Sequence, residues 1–461
     1  MTIIRQMQNP FVGLVIFAVG LMWGWPVQSF SQWSNVFNKE EFASRRAALL
    51  QLMPDSSAAI FNAARSKTRS NDIAYEYRQD SNYYYLTGIS SPQGILVLTK
   101  IDEKSTSQNT ATLFVPRPNP RAAAWMGRTL SPQKAQDEFG FEHVQTLNAF
   151  QNSLDSLLFG KKLLYCTFKP EFIYEPVSNQ RFFIGNLAKK SLKQKRPGLK
   201  VKSPQKLIAS LRQIKSETEL ALLQKAIDIT CAALLEAICF AKPGNYEYQL
   251  EAVIEYVFRH EGAEYSAFPT IVGSGPNALI LHHWKNDRKI EKGDLVVLDI
   301  GAEYRGYAAD VTRTIPISGK FSKAQRQIYE IVLEAQKQAI QIIKPGIPFK
   351  DVHAAAVKVI ADAGYRKYFK HATSHYLGLD AHDLGDMKTL QPGMVLTVEP
   401  GIYISEGAEV DPTYWNIGIR IEDDVLVTEN GYKVLSEKAP KEIHAIEKAM
   451  KRKSKLHLSF K

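Results

Sequence analysis

Four carboxylates and one histidine follow one another along the second half of the chain, each inside a short motif. They are Asp299 in LVVLDIG, Asp310 in DVTRTIP, His375 in HATSHYLGLDAHD, Glu399 in TVEPGIYI and Glu422 in GIRIEDDVLV. If these side chains converge on one pocket, their negative charges repel one another unless cations bind between them. Carboxylate oxygens and one imidazole suit divalent metals, and paired metal ions commonly serve hydrolysis. The residues therefore predict a two-metal hydrolase.

The carboxylates lie in or next to predicted strands, where a charged side chain is unusual unless it has a function or a partner. The segment GAEYRGYAA between Asp299 and Asp310 predicts a β-hairpin that presents both aspartates on one face, whereas a lone aspartate would more often cap a turn. Glu399 ends the apolar run MVLTV, where an unpaired charge would be costly. Glu422 alternates with isoleucines in a predicted strand and, taken alone, could equally be a surface residue.

His375 has two neighbouring histidines, His371 before it and His382 after it. A single histidine is more often a core or surface side chain than a ligand. The glycines of this segment disfavour a simple helix, so we expect all three histidines to line one loop-rich wall.

Length and composition favour a globular protein with two domains. The chain has 461 residues, of which 45% are hydrophobic and 23% charged, which argues against disorder and against a polytopic membrane protein. The three cysteines, Cys166, Cys231 and Cys239, form no even framework. Cys231 and Cys239 lie in an apolar helical pattern, which predicts buried thiols rather than a catalytic nucleophile.

The net charge of +11 is concentrated in two segments, KKSLKQKRPGLKVK at 189–202 and the tail KAMKRKSKLHLSFK. Neither segment interleaves aromatic residues that could stack on bases, so no nucleic-acid partner is expected. A solvated basic linker and tail is the main interpretation, and contact with an anionic membrane or cell-surface polymer is the alternative.

The N-terminus resembles an export signal. Arg5 precedes an apolar stretch at 11–25, which is too short for a comfortable membrane span, and small residues follow near Ser29 and Ser31. We expect residues 1–31 to be a cleaved signal and the protein to be periplasmic or secreted, with no stable membrane span afterwards. An uncleaved membrane anchor stays open, because only one basic side chain precedes the apolar stretch.

Hydrophobic periodicity divides the rest of the chain into an α/β domain with a basic linker at 32–205, an α+β domain at 206–445 and a tail at 446–461. Ser131 is a predicted N-cap, and Ser216 with Glu219 forms a predicted capping box. NDIAYEYRQDSNYYYLTGI is rich in β-forming residues. In the second domain, a long helix, a Lys-Pro-Gly stop and a second helix ending at glycine occur twice, which indicates a weak internal duplication.

The motif set resembles the pita-bread metallopeptidases, and SHYLGLDAHD, VEPGIY and GIRIEDDVLVT are similar to their Xaa-Pro aminopeptidase and prolidase branch. In the first domain, YRQDSNYYYLTG and AAAWMGRTL resemble segments of the same branch. The resemblance implies a creatinase-like α/β N-terminal domain followed by an α+β pita-bread catalytic domain. One departure is Ala372, which stands in the position of a glycine in the family pattern.

The resemblance also implies a role for each ligand. Asp299 would bind one metal, Asp310 and Glu422 would bridge two metals, and His375 and Glu399 would complete the other site. Manganese suits this oxygen-rich set best, with cobalt, zinc and iron as alternatives. A hydroxide between the metals would be the nucleophile, and Glu399 would accept the proton of its parent water.

Further catalytic and substrate-binding roles are implied for the histidines and one arginine. His282 would stabilise the tetrahedral intermediate, with His283 as a competing candidate. His382 would lie near the leaving proline, and His371 would line the same pocket. Arg420 would donate hydrogen bonds within the metal shell. Three tyrosines could form the wall of the proline pocket, although packing is their commoner use: Tyr307, Tyr376 and Tyr403.

The implied activity is removal of an N-terminal residue that precedes proline in a peptide. The alternatives are a dipeptidase restricted to Xaa-Pro, as in prolidases, and a non-catalytic peptide-binding relative, which the intact ligand set disfavours. By analogy with the family, we expect a homodimer or homotetramer.

Overall fold

The computed structural model describes residues 38–102, 108–127, 129–167, 171–175, 180–184 and 194–456. The predicted export signal at 1–31 lies outside the described residues, as do 185–193 of the basic linker and 457–461 of the tail. Within the described residues, no helix combines the length and apolar character that crossing a membrane requires.

The N-terminal domain is built on a mixed six-stranded sheet. Its elements in chain order are α1 (Lys39–Leu52), β1 (Ser57–Asn62), β2 (Thr68–Ser70), β3 (Ile73–Ala74), α2 (Ser81–Thr87), β4 (Ile95–Lys100), β5 (Thr110–Val115), α3 (Pro120–Met126), α4 (Pro132–Phe139), β6 (His143–Thr146), α5 (Phe150–Leu157), β7 (Leu163–Cys166), β8 (Glu171–Glu175), β9 (Gln180–Ile184) and β10 (Lys200–Lys202). The large sheet has the order β10-β7-β1-β4-β5-β6. The alternation of strands and helices confirms the predicted α/β class.

Capping residues decide where helices begin in this domain. Ser131 accepts a hydrogen bond from the backbone N–H of Lys134 and begins α4 as predicted. The β-rich interpretation of SNYYYLT is wrong, because this segment is helix α2. Asp80 caps its first turn and Gly88, with φ of 72°, ends it, so local capping outweighs the β-propensity of the tyrosines.

The C-terminal domain combines long helices with short antiparallel strands. Its elements are α6 (Gln205–Arg212), α7 (Glu217–Phe240), α8 (Glu247–His260), β11 (Tyr265–Ser266), β12 (Ile271–Ser274), β13 (Leu295–Ile300), β14 (Ala302–Tyr304), β15 (Tyr307–Ala308), β16 (Val311–Pro316), α9 (Lys323–Gln341), α10 (Phe349–Asp362), β17 (Val395–Val398), β18 (Gly401–Ile404), β19 (Ile417–Arg420), β20 (Asp423–Val427), β21 (Tyr432–Val434) and α11 (Ile443–Ala449). The predicted capping box of Ser216 and Glu219 is present at the start of α7.

The internal duplication suggested by the sequence is visible in the structure. Helices α7 and α9 are each followed by a Lys-Pro-Gly turn, with φ of 94° at Gly244 and 88° at Gly346. The backbone N–H of Gly244 donates to the carbonyl oxygen of Ile290, and that of Gly346 donates to that of Leu390, both at 2.9 Å. The strands β13 and β17 follow these contacts, so each half positions one strand of the site in the same way.

The predicted hairpin between Asp299 and Asp310 needs a correction. Asp299 on β13 pairs with Thr312 on β16, and the intervening segment forms a separate small hairpin, β14–β15, in another sheet. Gly301 permits this departure, since a Cβ there would lie 1.9 Å from the carbonyl oxygen of Ala309. Asp310 stands two residues before Thr312, so period-2 alternation still favours one face for both aspartates.

The cysteines are free thiols without a catalytic setting. Cys231 is buried in α7 and Cys239 is partly buried. Burial raises the pKa of the Cys231 thiol to about 12, so it stays protonated at neutral pH. This agrees with the expectation of packing thiols rather than a nucleophile.

Candidate active site

The two halves of the C-terminal domain each bring two carboxylates to the site. Asp299 lies near the end of β13 and Glu399 directly follows β17. Asp310 directly precedes β16 and Glu422 directly precedes β20, the strands that pair with β13 and β17. Paired strands hold their side chains on a stiff scaffold. Each of the two similar strand pairs contributes two carboxylates, so together they form one site with four carboxylates.

Distances show that the predicted ligands converge. One ligand atom each from Asp310, His375 and Glu422 lies within 4.8 Å of the others. The Nε2 atom of His375 is 3.5 Å from Oδ2 of Asp310 and 3.6 Å from Oε1 of Glu399. Asp299 adds its charge to the same cluster, because it contributes to the raised pKa of Asp310. The structure therefore brings together Asp310, His375 and Glu422, with Glu399 beside His375 and with Asp299 bound to the neighbouring Arg420. The coordination roles of the five residues stay predictions.

The electrostatics of this cluster fit divalent cations. Burial, followed by the charge of Asp299, raises the pKa of Asp310 well above its usual range. Burial, followed by the charge of Asp310, does the same for Glu422, and burial raises the pKa of Glu399 to about 8. The buried Oδ1 atom of Asp299 has no hydrogen-bond partner among the described residues. Two divalent ions would satisfy these oxygens and allow every carboxyl group to ionise.

His375 is prepared to act as a neutral ligand. Its Nδ1 atom lies 3.1 Å from the carbonyl oxygen of Tyr376, so Nδ1 carries the proton and donates it in this contact. The Nε2 lone pair then faces Asp310 and Glu399. Burial lowers the pKa of His375 to about 4, which keeps the imidazole neutral at physiological pH.

A hydrogen-bonded shell around the carboxylates was largely missed from the sequence. The hydroxyl of Thr312 donates a hydrogen bond to Oε2 of Glu422 at 2.7 Å and accepts one from Nε of Arg420 at 3.2 Å. Arg420 also donates to Oδ2 of Asp299 at 2.5 Å and to the Tyr403 hydroxyl at 2.9 Å. The position of Thr312 two residues after Asp310 was the available signal, since alternate strand residues share a face.

Arg420 retains its charge inside this shell. Burial disfavours the guanidinium charge, but Tyr403, Asp299 and Glu399 overcome that effect and raise its pKa well above the usual value. A permanent cation beside Asp299 offsets part of the negative charge of the cluster. The structure thus places Arg420 where the resemblance implies it.

Of the three tyrosines considered for the pocket wall, Tyr403 places its hydroxyl in the site. Its hydroxyl accepts from Arg420 and lies 2.9 Å from Nε2 of His371. Tyr376 instead reaches the sulfur of Met394, and Tyr307 donates to Glu219. Both are fully buried packing residues.

The segment from His371 to Asp383 contains no helix, as expected, and its histidines face one wall. The ring of His382 lies 4.1 Å from the ring of His375, centroid to centroid. The Nδ1 atom of His371 is 3.5 Å from Oε2 of Glu399. Burial lowers the pKa of His371 to about 4, and burial together with the nearby His282 lowers the pKa of His382. The lowered pKa values favour the neutral imidazole of His371, His375 and His382.

The structure separates His282 from its competitor His283. His283 is buried and its Nε2 atom lies 3.0 Å from Oε2 of Glu247. Glu247 also accepts hydrogen bonds from Ser274 and Asn277, so His283 belongs to a structural network at the start of α8. His282 is exposed and close enough to influence the pKa of His382. Geometry favours His282 for the substrate-facing role.

This difference gives a testable pair of variants. We expect His282→Ala to lower kcat by roughly 10²-fold or more, the usual contribution of a positioned proton-transfer or hydrogen-bonding group, without changing Tm. We expect His283→Ala to lower Tm, because it removes a buried partner of Glu247, while kcat of the folded fraction changes little. Steady-state kinetics and thermal unfolding of both variants check this assignment, and the reverse pattern would exchange the two roles.

Comparison with known proteins agrees with the geometry. The model of metallopeptidase family M24 matches residues 221–429, and that of the aminopeptidase P N-terminal domain matches 42–165. The chain is 38% identical to the Xaa-Pro aminopeptidase of Escherichia coli K12, over 89% of this chain and 98% of that one. The chain belongs to metallopeptidase family M24. The prediction of the family and of its two-domain fold is confirmed.

Two further relatives bear on metal and substrate. The structure of zinc-substituted E. coli aminopeptidase P in complex with product superposes with a TM-score of 0.81 and 37% identity, covering 90% of this chain and 98% of that one. An Xaa-Pro dipeptidase of Pyrococcus horikoshii is 34% identical over 78% of this chain and 91% of its own length. Divalent metal binding is thus confirmed for the family, whereas the predicted domain boundaries and individual site roles stay predictions.

Proposed function

We propose that this protein is a dinuclear-metal aminopeptidase that hydrolyses the peptide bond between an N-terminal residue and a following proline. The convergence of Asp310, His375 and Glu422 within 4.8 Å, beside two further buried carboxylates, carries the proposal. Similarity to the E. coli Xaa-Pro aminopeptidase over nearly its whole length supports the same activity. The proposal agrees with the activity predicted from the motifs.

The residues of the site divide the chemical work. When bound, divalent cations would polarise the scissile carbonyl group and acidify water. The carboxylate of Glu399 lies among the ligands, 3.6 Å from Nε2 of His375, where it could accept and return a proton. His282 and His382 stand on the exposed side of the cluster, where they can donate hydrogen bonds to carbonyl oxygens of a peptide.

The choice of proline follows from the peptide bond itself. An Xaa-Pro bond is a tertiary amide without an N–H, so a peptidase that binds its substrate as a β-strand loses a hydrogen bond there. A site built on metal ligands and imidazoles does not require that N–H. The wall of His371 and Tyr403 offers ring faces against which a pyrrolidine ring can pack.

We further propose manganese as the native metal, because four carboxylates and one imidazole form an oxygen-rich donor set. The presence of four carboxylates and no thiolate among the ligand candidates supports this choice over zinc. Cobalt, zinc and iron stay alternatives, and metal analysis of protein purified without added metal distinguishes them.

Export and oligomerisation are also proposals. The apolar stretch at 11–25 followed by small residues supports a cleaved signal and a periplasmic or secreted enzyme, and an uncleaved anchor is the alternative. Family resemblance supports a homodimer or homotetramer. Trp125 on α3, with 87% of its surface exposed, is consistent with a surface that another subunit covers. Light scattering on the signal-free protein measures the assembly.

The deciding experiment compares Gly-Pro-Pro, Gly-Pro and Gly-Ala-Pro as substrates of the manganese-loaded, signal-free protein. We expect glycine release from Gly-Pro-Pro, none from Gly-Ala-Pro, and loss of activity with a chelator. Cleavage of Gly-Pro alone would make the protein a dipeptidase of the kind found in P. horikoshii. Cleavage of none of these peptides despite bound metal would favour the binding-only interpretation.

A further inference from the structure

One motif of the N-terminal domain has no part in the site described so far. The segment YRQDSNYYYLTG precedes and forms α2, and three of its polar side chains cross to the C-terminal domain: Arg78, Ser81 and Asn82. Their partners lie in or beside residues 379–383, which we name the His382 loop. The loop contains no helix or strand.

Arg78 and Ser81 bind the beginning of the loop. Arg78 donates Nη2 to the carbonyl oxygen of Leu379, while its Nε donates to Oε2 of Glu303 at 2.6 Å. The hydroxyl of Ser81 donates a hydrogen bond to Oδ1 of Asp380 at 2.7 Å and accepts one from Nη1 of Arg78 at 3.1 Å. Arg78 also lies 3.6 Å from Oδ1 of Asp380, so side chains of the other domain hold both of the first two loop residues.

A second arginine holds both sides of His382. The guanidinium of Arg212, which is 2% exposed, donates to Oδ2 of Asp380 at 2.8 Å and also to Oδ1 of Asp383. Its other terminal nitrogen donates a hydrogen bond to Oδ1 of Asn82 at 2.7 Å. This bond connects Arg212 to the N-terminal domain. Since Asp380 and Asp383 enclose Ala381 and His382, the backbone that carries the imidazole is fixed at both ends.

The His382 side chain depends on this backbone for its position. The residue is exposed, and the recorded ring contact is with His375, at 4.1 Å between centroids. A segment without regular secondary structure ordinarily has high local mobility unless side chains restrain it. Charge-assisted hydrogen bonds to two buried or half-buried carboxylates restrain the loop far more than ring contact alone.

We propose that Arg78 and Ser81, which bind the His382 loop directly, and Asn82, which acts through Arg212, are positioning residues that hold the loop in its productive place. The N-terminal domain therefore sets the geometry of the active site within its own chain. The inference rests on the proposed function in one respect, namely that His382 faces the substrate. A displacement of about 1 Å in a catalytic group can cost on the order of 10²-fold in rate, so such a clamp matters for turnover.

The structure offers a matched control on the same interdomain surface. Arg78 lines a cavity of about 440 Å³ between the domains, and its side chain is 38% exposed. Arg259 lines the same cavity and forms an ion pair with Glu76 of the N-terminal domain at 2.8 Å. Among the described residues its hydrogen bonds and ion pair are with Glu76, so it spans the same domain boundary without binding the His382 loop.

The test measures kcat and KM for Gly-Pro-Pro in Arg78→Met, Ser81→Ala and Arg259→Met, each alone and combined with His382→Ala. We expect Arg78→Met to lower kcat about 10- to 100-fold and Ser81→Ala about 3-fold, with KM changed less than about 2-fold. Arg259→Met should change kcat by less than about 2-fold. In the His382→Ala background, Arg78→Met should lower kcat by less than about 2-fold, because it acts through the missing imidazole.

Equal losses in both backgrounds, equal losses in Arg78→Met and Arg259→Met, or no loss in Arg78→Met would overturn the proposal. If Arg78→Met does not fold, because Glu303 then lacks its partner, Ser81→Ala decides by the same comparison. If the unmodified protein cleaves no Xaa-Pro peptide, the proposed function fails separately. In that case amide hydrogen exchange tests the positioning role by itself. The amides of residues 377–384 should exchange faster in Arg78→Met and Ser81→Ala than in the unmodified protein, and no faster in Arg259→Met.

Discussion

Replacing Asp310 with asparagine is expected to abolish turnover while the protein stays folded. Asp310 is buried among Asp299, Asp424 and Glu399, whose charges add to burial in raising its pKa. An amide lacks the negative charge and one of the acceptor oxygens that a bridging ligand needs. We expect kcat for Gly-Pro-Pro to fall at least 10³-fold, about 4 kcal/mol of lost transition-state stabilisation, and bound metal to fall below that of the unmodified protein.

The same substitution separates a metal ligand from a structural residue. Without metal at pH 8, the Asn variant should be at least as stable as the unmodified protein, because one source of carboxylate repulsion is gone. Asp362→Asn is the matched control, since this residue lies on the exposed surface of α10, paired with Lys358. Retained activity or an unchanged metal content in Asp310→Asn would contradict the bridging assignment.

Stability of the metal-free protein is expected to fall as pH rises from about 6.5 to 8. Burial raises the pKa of Glu399 to about 8, and burial with neighbouring charge raises the pKa of Asp310 and Glu422 well above their usual range. In the unfolded chain these groups titrate near pH 4. Below about pH 6.5 the histidines with a lowered pKa, His371 and His375, oppose this effect, because they bind protons in the unfolded chain but not in the folded protein. Between about pH 6.5 and 8 the folded protein binds more protons than the unfolded chain, so the free energy of unfolding decreases with pH.

Metal should reverse this trend. Divalent cations bind the ionised carboxylates, so binding releases protons and strengthens as pH rises. At a free metal concentration 100 times Kd, binding adds about 2.7 kcal/mol of stability, enough to raise Tm by several degrees. Thermal unfolding at pH 5 to 8, with a chelator and with manganese, measures both slopes. Parallel slopes with and without metal would show that the cluster does not bind cations in its ionised form.

Much of the site was predictable because each ligand lies in a local pattern that fixes its backbone. Asp299 and Glu399 end apolar strands, and the two Lys-Pro-Gly stops revealed the duplication that brings these strands together. Ser131 and Ser216 gave correct helix starts, since capping depends on residues three positions apart. These features require only short-range information.

The remaining features depend on contacts between distant segments. The pairing of Asp299 with Thr312 requires the excursion of β14 and β15, which the glycines alone do not reveal. The bond of Tyr403 to Arg420 requires the register between β18 and β19. Residues of the YRQDSNYYYLTG motif were recognised as distinctive, yet their partners in the His382 loop lie about 300 positions later in the chain, as for Arg78 and Leu379.

The most direct test of a two-metal aminopeptidase is a titration of the metal-free, signal-free protein with manganese while glycine release from Gly-Pro-Pro is followed. We expect no release in the presence of chelator and a rate that rises until two equivalents of manganese are bound per chain. Release that is insensitive to chelator, or no release when two equivalents are bound, would contradict the account.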